Sequence, residues 1–171
     1  MVRIKSITLC NLKQSFKNLL FMKDVEIRFA QEKDLTELVL LCEKHAHFER
    51  AEYSSDNKES MLKNSLFGID PSFKCLVVEH ASVIVGYCSF MKQFSTWTCS
   101  YYLYMDCLFL LEEARGHGIG ESIMKRITKE AEAMGCKFIQ WQTPSFNLRG
   151  INFYNRIGGK SISKERYFLS V

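Results

Sequence analysis

The run Arg115-Gly116-His117-Gly118-Ile119-Gly120 has the residue types and spacing to hold an anion. It follows a long apolar run, Tyr101 to Leu111, and opens a segment with helical periodicity. Main-chain N–H groups at a helix N-terminus have no intrahelical acceptor. The helix dipole is positive there, and glycine lets an anion come close. Single residues exclude two nucleotide-binding patterns. A G-x-G-x-x-G fingerprint needs glycine at position 121, where Glu121 stands, and a P-loop needs Lys-Ser/Thr after its last glycine, where Glu121-Ser122 follows. An Arg-x-x-Gly-x-Gly turn able to hold an anion remains.

Other chemistry-bearing residues are less informative. His45-Ala46-His47 puts two rings on different sides of a helix end with no third ligand, so surface histidines and no metal site are expected. The seven cysteines show no C-x-x-C spacing, and most sit in apolar runs (Cys42, Cys75, Cys88, Cys107). Reduced, buried thiols in a cytoplasmic protein follow, and Cys107 reads as a small apolar residue rather than a reactive one. Glu49, Glu52 and Asp56 make either an acidic rim that attracts a polycation or a plain solvated loop.

The elements that position these residues are legible from periodicity. Val25, Ile27 and Phe29 alternate with Glu26 and Arg28 as a first strand. Asp34 with Glu37 reads as a capping box opening a helix to about His47, with Leu35, Leu38, Val39 and Cys42 on its apolar face. Asp56 and Glu59 repeat the capping pattern before a second helix, which Gly68 and Asp70-Pro71 end. Lys74 to Glu79 and Val83 to Phe90 form a hairpin across His80-Ala81-Ser82. Ser100 to Leu111 is the third strand of this meander, and the glycine turn follows it directly. Ile119, Ile123, Ile127 and Ala131 recur at helical spacing, and Gly135 suits the helix C-terminus. Phe138 to Thr143 is another strand. Asn147 caps a last helix through Tyr154 to Ile157, closed by Gly158-Gly159, and Tyr167-Phe168-Leu169 ends the chain as a strand. Trp97, Trp141 and the tyrosines near 101 to 104 are expected in a core or an interface. The order implies an α+β fold with one mixed sheet and helices on both faces.

A chain of 171 residues, 47% hydrophobic, suits one domain with a sizeable core. The net charge of +4 is mild and the basic residues form no block, so nucleic acid is not an expected partner. No apolar run reaches transmembrane length, so no membrane is expected either. Residues 1–22 carry Arg3, Lys5, Lys13 and Lys17 and no acid. They read as an N-terminal arm before a domain over residues 23–171, since the cleavage pattern of a presequence is missing.

These residues together resemble the GNAT superfamily of acetyltransferases, over roughly Val25 to Val171. Arg115 to Gly120 fits its Arg/Gln-x-x-Gly-x-Gly/Ala signature. Asn147, followed by Asn152-Phe153-Tyr154-Asn155-Arg156-Ile157-Gly158, is similar to its Asn…Phe-Tyr-x-x-x-Gly segment. Phe94-Ser95-Thr96-Trp97 and Tyr104-Met105-Asp106 resemble stretches of the diamine (spermidine/spermine) N-acetyltransferase branch. That branch has Glu-Asp where Asp106-Cys107 stands here.

The resemblance implies a GNAT fold with a mostly antiparallel central sheet, and acetyl-CoA as co-substrate. Its diphosphate is expected on main-chain N–H groups of Gly116, His117, Gly118, Ile119, Gly120 and Glu121, with Arg115 as counter-charge. Backbone groups of Leu108, Phe109 and Leu110 would pair with the pantetheine arm beside a bulge, with Asn147 also holding that arm. The acceptor is expected to be a small primary amine such as a diamine or polyamine. Only about one in a thousand lysine-like amines is neutral at pH 7, so a base is needed, and Asp106 is the candidate. The Leu108 N–H would stabilise oxyanion charge, and Tyr154 would protonate the departing thiolate. Direct transfer in a ternary complex suffices, and a homodimer is implied. An aminoglycoside, an amino acid, a protein N-terminus, or a non-catalytic CoA-binding module are the alternatives.

Overall fold

Alternation of apolar and polar residues draws β1 (Val25–Phe29) into a sheet whose middle is apolar on both faces. β2 (Lys74–His80), β3 (Val83–Ser95) and β4 (Ser100–Leu110) follow as an antiparallel meander. β5 (Ile139–Trp141) adds parallel to β4, and the strand order is β1-β2-β3-β4-β5. The computed structural model describes residues 23–171, so the predicted arm over residues 1–22 lies outside the described residues. The chain divides into two compact units, one ending at Trp141 and one running Gln142–Val171.

In the first unit each sheet face is buried. One face carries Cys75, Val77, Tyr87 and Phe109, packed with Leu38 and Leu41 of α1 (Leu35–Glu49) and Leu66 of α2 (Lys58–Phe67). The other face carries Leu76, Val78, Cys88, Phe90, Leu103 and Met105, all buried. α3 (Ile119–Ala133) lies on that side. Its stripe Ile119, Ile123, Met124, Ile127 and Ala131 is buried, and Arg126 stacks 5.2 Å over the Phe29 ring of β1. Both expected helix faces are therefore present, and the mixed sheet is the predicted one.

Several local expectations change. Asp34 does not cap with Glu37. Its carboxylate takes a bidentate bond from Arg28 (Nη1–Oδ2 2.7 Å, Nη2–Oδ1 2.9 Å) and accepts from the Gln31 N–H at 2.8 Å, shaping a 3-10 turn, Glu32–Asp34. Arg28 also donates to Glu79 across the sheet at 2.7 Å, so the charged network wins over the cap. Asp56 is not the cap of α2. Asn57 holds that position with φ +56, and the Glu59 carboxylate accepts from Thr36. A second 3-10 turn, Glu112–Ala114, separates β4 from the glycine turn.

The β2–β3 connection is a two-residue turn with Ala81 and Ser82 both at positive φ, +49° and +66°. That handedness matches the twist of the flanking strands. The β3–β4 hairpin ends in Trp97, which is 91% exposed rather than buried, and in the exposed Cys99, whose Sγ donates to the Thr96 carbonyl at 3.5 Å.

The second unit holds α4 (Leu148–Arg156), capped by Asn147 as expected. The predicted strand Phe138 to Thr143 shrinks to Ile139–Trp141. Tyr167-Phe168-Leu169 forms no strand. The rest of its unit offers no strand to pair with, and these three side chains stay exposed.

Candidate active site

β4 has one residue too many for β3. Phe90 pairs with Met105 and Ser89 with Cys107, so Asp106 is the bulged residue. A bulge bends a strand and re-aims a side chain, and Asp106 points to solvent while Met105 is buried. β5 pairs with Leu103, Tyr104 and Met105 and stops there. From Asp106 to Leu110, β4 keeps β3 on one side and has no strand on the other among the described residues. Leu111 N–H donates to the Val85 carbonyl, so by antiparallel alternation Phe109 bonds β3 while the backbone groups of Leu108 and Leu110 face the open edge, which an extended ligand can pair with as a strand does.

The turn after β4 is built to present amides. Gly116 and Gly118 sit at φ +87° and +86°, and Gly118 is the residue from which α3 begins. A Cβ on either would meet nothing within 4 Å, so both face open space. Side chains there would be strained and would fill that space. Ile119 is buried and anchors the helix end to the core, which leaves the first-turn amides of Ile119, Gly120 and Glu121 as the helix's anion-attracting end. The Glu121 carboxylate is held by Lys125 at 2.9 Å. This cradle fits a diphosphate.

Arg115 is placed differently from a plain counter-charge. Its Nε donates to the Leu110 carbonyl at 2.8 Å and its Nη1 pairs with Glu112 at 2.8 Å. Its guanidinium lies 5.2 Å from the Phe48 ring and 5.5 Å from that of Phe109. The side chain thus ties the end of β4 to the turn and brings positive charge to both.

His45 was expected at the surface, and the structure overturns that. The ring is 12% exposed and stacks on Phe109 with centroids 5.0 Å apart. Leu38, Leu41, Cys42, His45 and Glu49 share one helix face, which carries His45 inward, while His47 is exposed. His45 Nδ1 lies 3.0 Å from the Tyr87 hydroxyl and Nε2 lies 3.4 Å from Glu49. Burial, opposed by Glu49, holds the His45 pKa below its ordinary 6.5. Burial, then the Asp106 carboxylate, pushes the Cys107 thiol up to about 12, so it is inert, as its sequence context suggested.

In the second unit Asn147 and Tyr154 share α4. Asn147 Oδ1 accepts from the Gly150 N–H at 3.0 Å, and its amide donates to Thr143 Oγ1 at 2.9 Å. Seven residues make nearly two turns, which places Tyr154 on the same helix face about 10 Å along the axis. Tyr154 is half-buried beside Phe153, with ring centroids 5.1 Å apart.

A profile of the acetyltransferase (GNAT) family matches residues 32–159. The chain belongs to the GNAT acetyltransferase family. It is similar to the thialysine N-epsilon-acetyltransferase of Mus musculus, 28% identical over 157 residues, covering 87% of this chain and 92% of that protein. It is 25% identical to the human spermidine/spermine N(1)-acetyltransferase-like protein 1 over 147 residues, 82% of this chain and 21% of that longer protein. A solved aminoglycoside N-acetyltransferase in complex with CoA shares the fold. Its TM-score is 0.71 at 12% identity, with 85% of this chain and 94% of that one covered. This GNAT protein is an acetyl-CoA-dependent N-acetyltransferase. No described helix is long and apolar enough to cross a membrane, and no three described His, Cys, Asp or Glu residues group as metal ligands.

Proposed function

We propose that the acceptor is the primary amine of a small diamine-like molecule, acetylated by direct transfer within a ternary complex in the cytoplasm. The observation that carries this is the bulge that turns the Asp106 carboxylate outward at the point where β4 loses its neighbour. A carboxylate there attracts a cationic amine and takes its surplus proton, directly or through water. The names of the thialysine and spermidine/spermine relatives support an acceptor with a second polar group.

Acetyl-CoA supplies an acyl group activated as a thioester. The amides from Gly116 to Glu121 hold its diphosphate, and Arg115 steadies that turn while lending it positive charge. Leu108 and Leu110 pair with the extended arm, and the Leu108 N–H polarises the thioester carbonyl. Asn147 assists in holding the arm. Tyr154 donates a proton to the departing sulfur, because its phenol, ordinarily near pKa 10, can serve a thiol of about 8.5. The chain works as a homodimer in this reading, which the exposed Tyr167, Phe168 and Leu169 support.

The test is a panel of diamines, polyamines, amino acids and aminoglycosides, each scored by CoA thiol released from acetyl-CoA. Diamines and thialysine-like amines are expected to lead. Release with aminoglycosides alone would refute the acceptor class, and no release with any amine would refute catalysis.

A further inference from the structure

The open edge of β4 has a definite end. The Leu111 N–H points at the Val85 carbonyl of β3. The Leu110 carbonyl belongs to the same trans peptide, so it points the opposite way, onto the open edge. Arg115 Nε donates to that carbonyl at 2.8 Å. The groups left there for a ligand are Leu108 N–H, Leu108 C=O and Leu110 N–H, and pairing stops at Leu110.

The guanidinium that closes the edge is held from α1. Its charge partner Glu112 is 71% exposed, and an exposed pair of this kind holds little. Two rings hold it better. The guanidinium lies 5.2 Å from the Phe48 centroid and 5.5 Å from that of Phe109. A flat cation serves both needs, since its N–H groups bond in the plane while its face meets a ring. Phe109 belongs to the core, and His45 stacks on it. Phe48 does not belong to the core. It follows His45 by three residues on the last turn of α1, is 38% exposed, and meets the Arg115 guanidinium.

We propose that Phe48 is a positioning residue for acetyl transfer: it holds Arg115 on the Leu110 carbonyl and so fixes the register in which the arm of acetyl-CoA pairs with β4. The proposal rests on that arm lying along the open edge. An extended ligand can pair with a strand edge in registers two residues apart, a step of about 7 Å. A free Leu110 carbonyl would let the arm pair one step nearer the glycine turn. That draws the thioester away from the Leu108 N–H and the Asp106 carboxylate. With the Leu110 carbonyl taken, the shifted register loses an acceptor and the productive one is favoured. The diphosphate cradle does not do this alone, because the arm between cradle and thioester is a flexible chain that can bow.

The experiment compares the wild type, Phe48→Leu, Phe48→Tyr and Arg115→Lys with acetyl-CoA and the best acceptor of the amine panel. Leucine stays apolar but has no ring face, tyrosine keeps the face, and lysine keeps the charge without the plane. In Phe48→Leu and Arg115→Lys, kcat should fall about tenfold or more while calorimetric acetyl-CoA affinity stays within about threefold. Phe48→Tyr should match the wild type. Phe48→Leu combined with Arg115→Lys should lose little more than either alone, since both act at one place. Wild-type kinetics in Phe48→Leu would overturn the proposal, as would equal losses in Phe48→Leu and Phe48→Tyr. A loss confined to affinity would also overturn it and make Arg115 a plain counter-charge to the diphosphate. Should Phe48→Leu not fold, Arg115→Lys against Phe48→Tyr carries the same comparison. A wild type that neither binds nor uses acetyl-CoA would instead sink the reading of the site, and an active wild type with an unaltered Phe48→Leu sinks the positioning role alone.

Discussion

The two residues with the clearest individual tasks sit in different units of the chain. Tyr154→Phe removes one hydroxyl and leaves the ring beside Phe153. Turnover should fall about a hundredfold while acetyl-CoA affinity holds, the signature of a group needed in the transition state. Steady-state kinetics with calorimetry checks this. Arg28 is a purely architectural counterpart. Desolvation opposes its charge, but the Asp34 and Glu79 carboxylates outweigh that and hold the guanidinium firmly protonated. Asp34→Ala would leave that cation with Glu79 alone and remove its bidentate partner, and unfolding free energy should drop by about 2 kcal/mol in a urea titration. At this scale the sequence was readable where a motif fixed the local backbone, as at Gly116 and Gly118, which form the turn that opens α3. It misled where a residue had two plausible partners. Asp34 precedes a helix and so reads as a cap, but Arg28 lies six residues back in sequence and only a bent chain brings the two together. His45 reads as polar surface because its burial depends on Tyr87, 42 residues away.

Strands and helices were legible from apolar spacing, and their junctions were not. The β4 bulge leaves no mark on periodicity, since the run Tyr101 to Leu111 is apolar almost throughout. Only its pairing with β3 reveals that Asp106 is the extra residue. The same holds for the three-residue β5, whose short length opens the edge beside Leu108. The glycine turn gives this scale its test. Gly118→Ala forces a methyl-bearing residue to φ +86°, at a cost of roughly 1 kcal/mol, and sets that methyl in the open space of the cradle. Acetyl-CoA affinity should fall at least tenfold. Gly135→Ala, at φ +69° with equally open surroundings but at the far end of α3, should lose similar stability and keep its affinity. Equal affinity losses in both would show that backbone strain, not the cradle, is responsible.

For the molecule as a whole, buried titratable groups set the acid limit. His45 has a folded pKa below 6.5, so below that pH the unfolded chain takes up a proton that the folded chain refuses. Stability is therefore full above pH 6.5 and declines as pH falls toward the folded value, by up to about 1.4 kcal/mol per pH unit. Asp34, held below its ordinary 3.8 chiefly by Arg28, adds a second decline as pH drops through 3.8. Urea midpoints at pH 8, 6 and 5 should show the first decline in the wild type and its loss in His45→Gln. Saturating acetyl-CoA at 100 times its dissociation constant should add about 2.7 kcal/mol. The order of elements announced this architecture in advance. The end of the chain did not follow suit, because a β-prone run such as Tyr167-Phe168-Leu169 becomes a strand only where a neighbour accepts it.

The tip of the β3–β4 hairpin has a practical corollary. Of the six described cysteines, Cys99 is the exposed one, and the thiols of Cys42, Cys75, Cys88, Cys107 and Cys136 are all made less acidic by burial. A maleimide dye at neutral pH should therefore label the folded domain there first. Any colorimetric reagent that counts liberated coenzyme will also count that position, so Cys99→Ser makes the quieter background for measuring this enzyme.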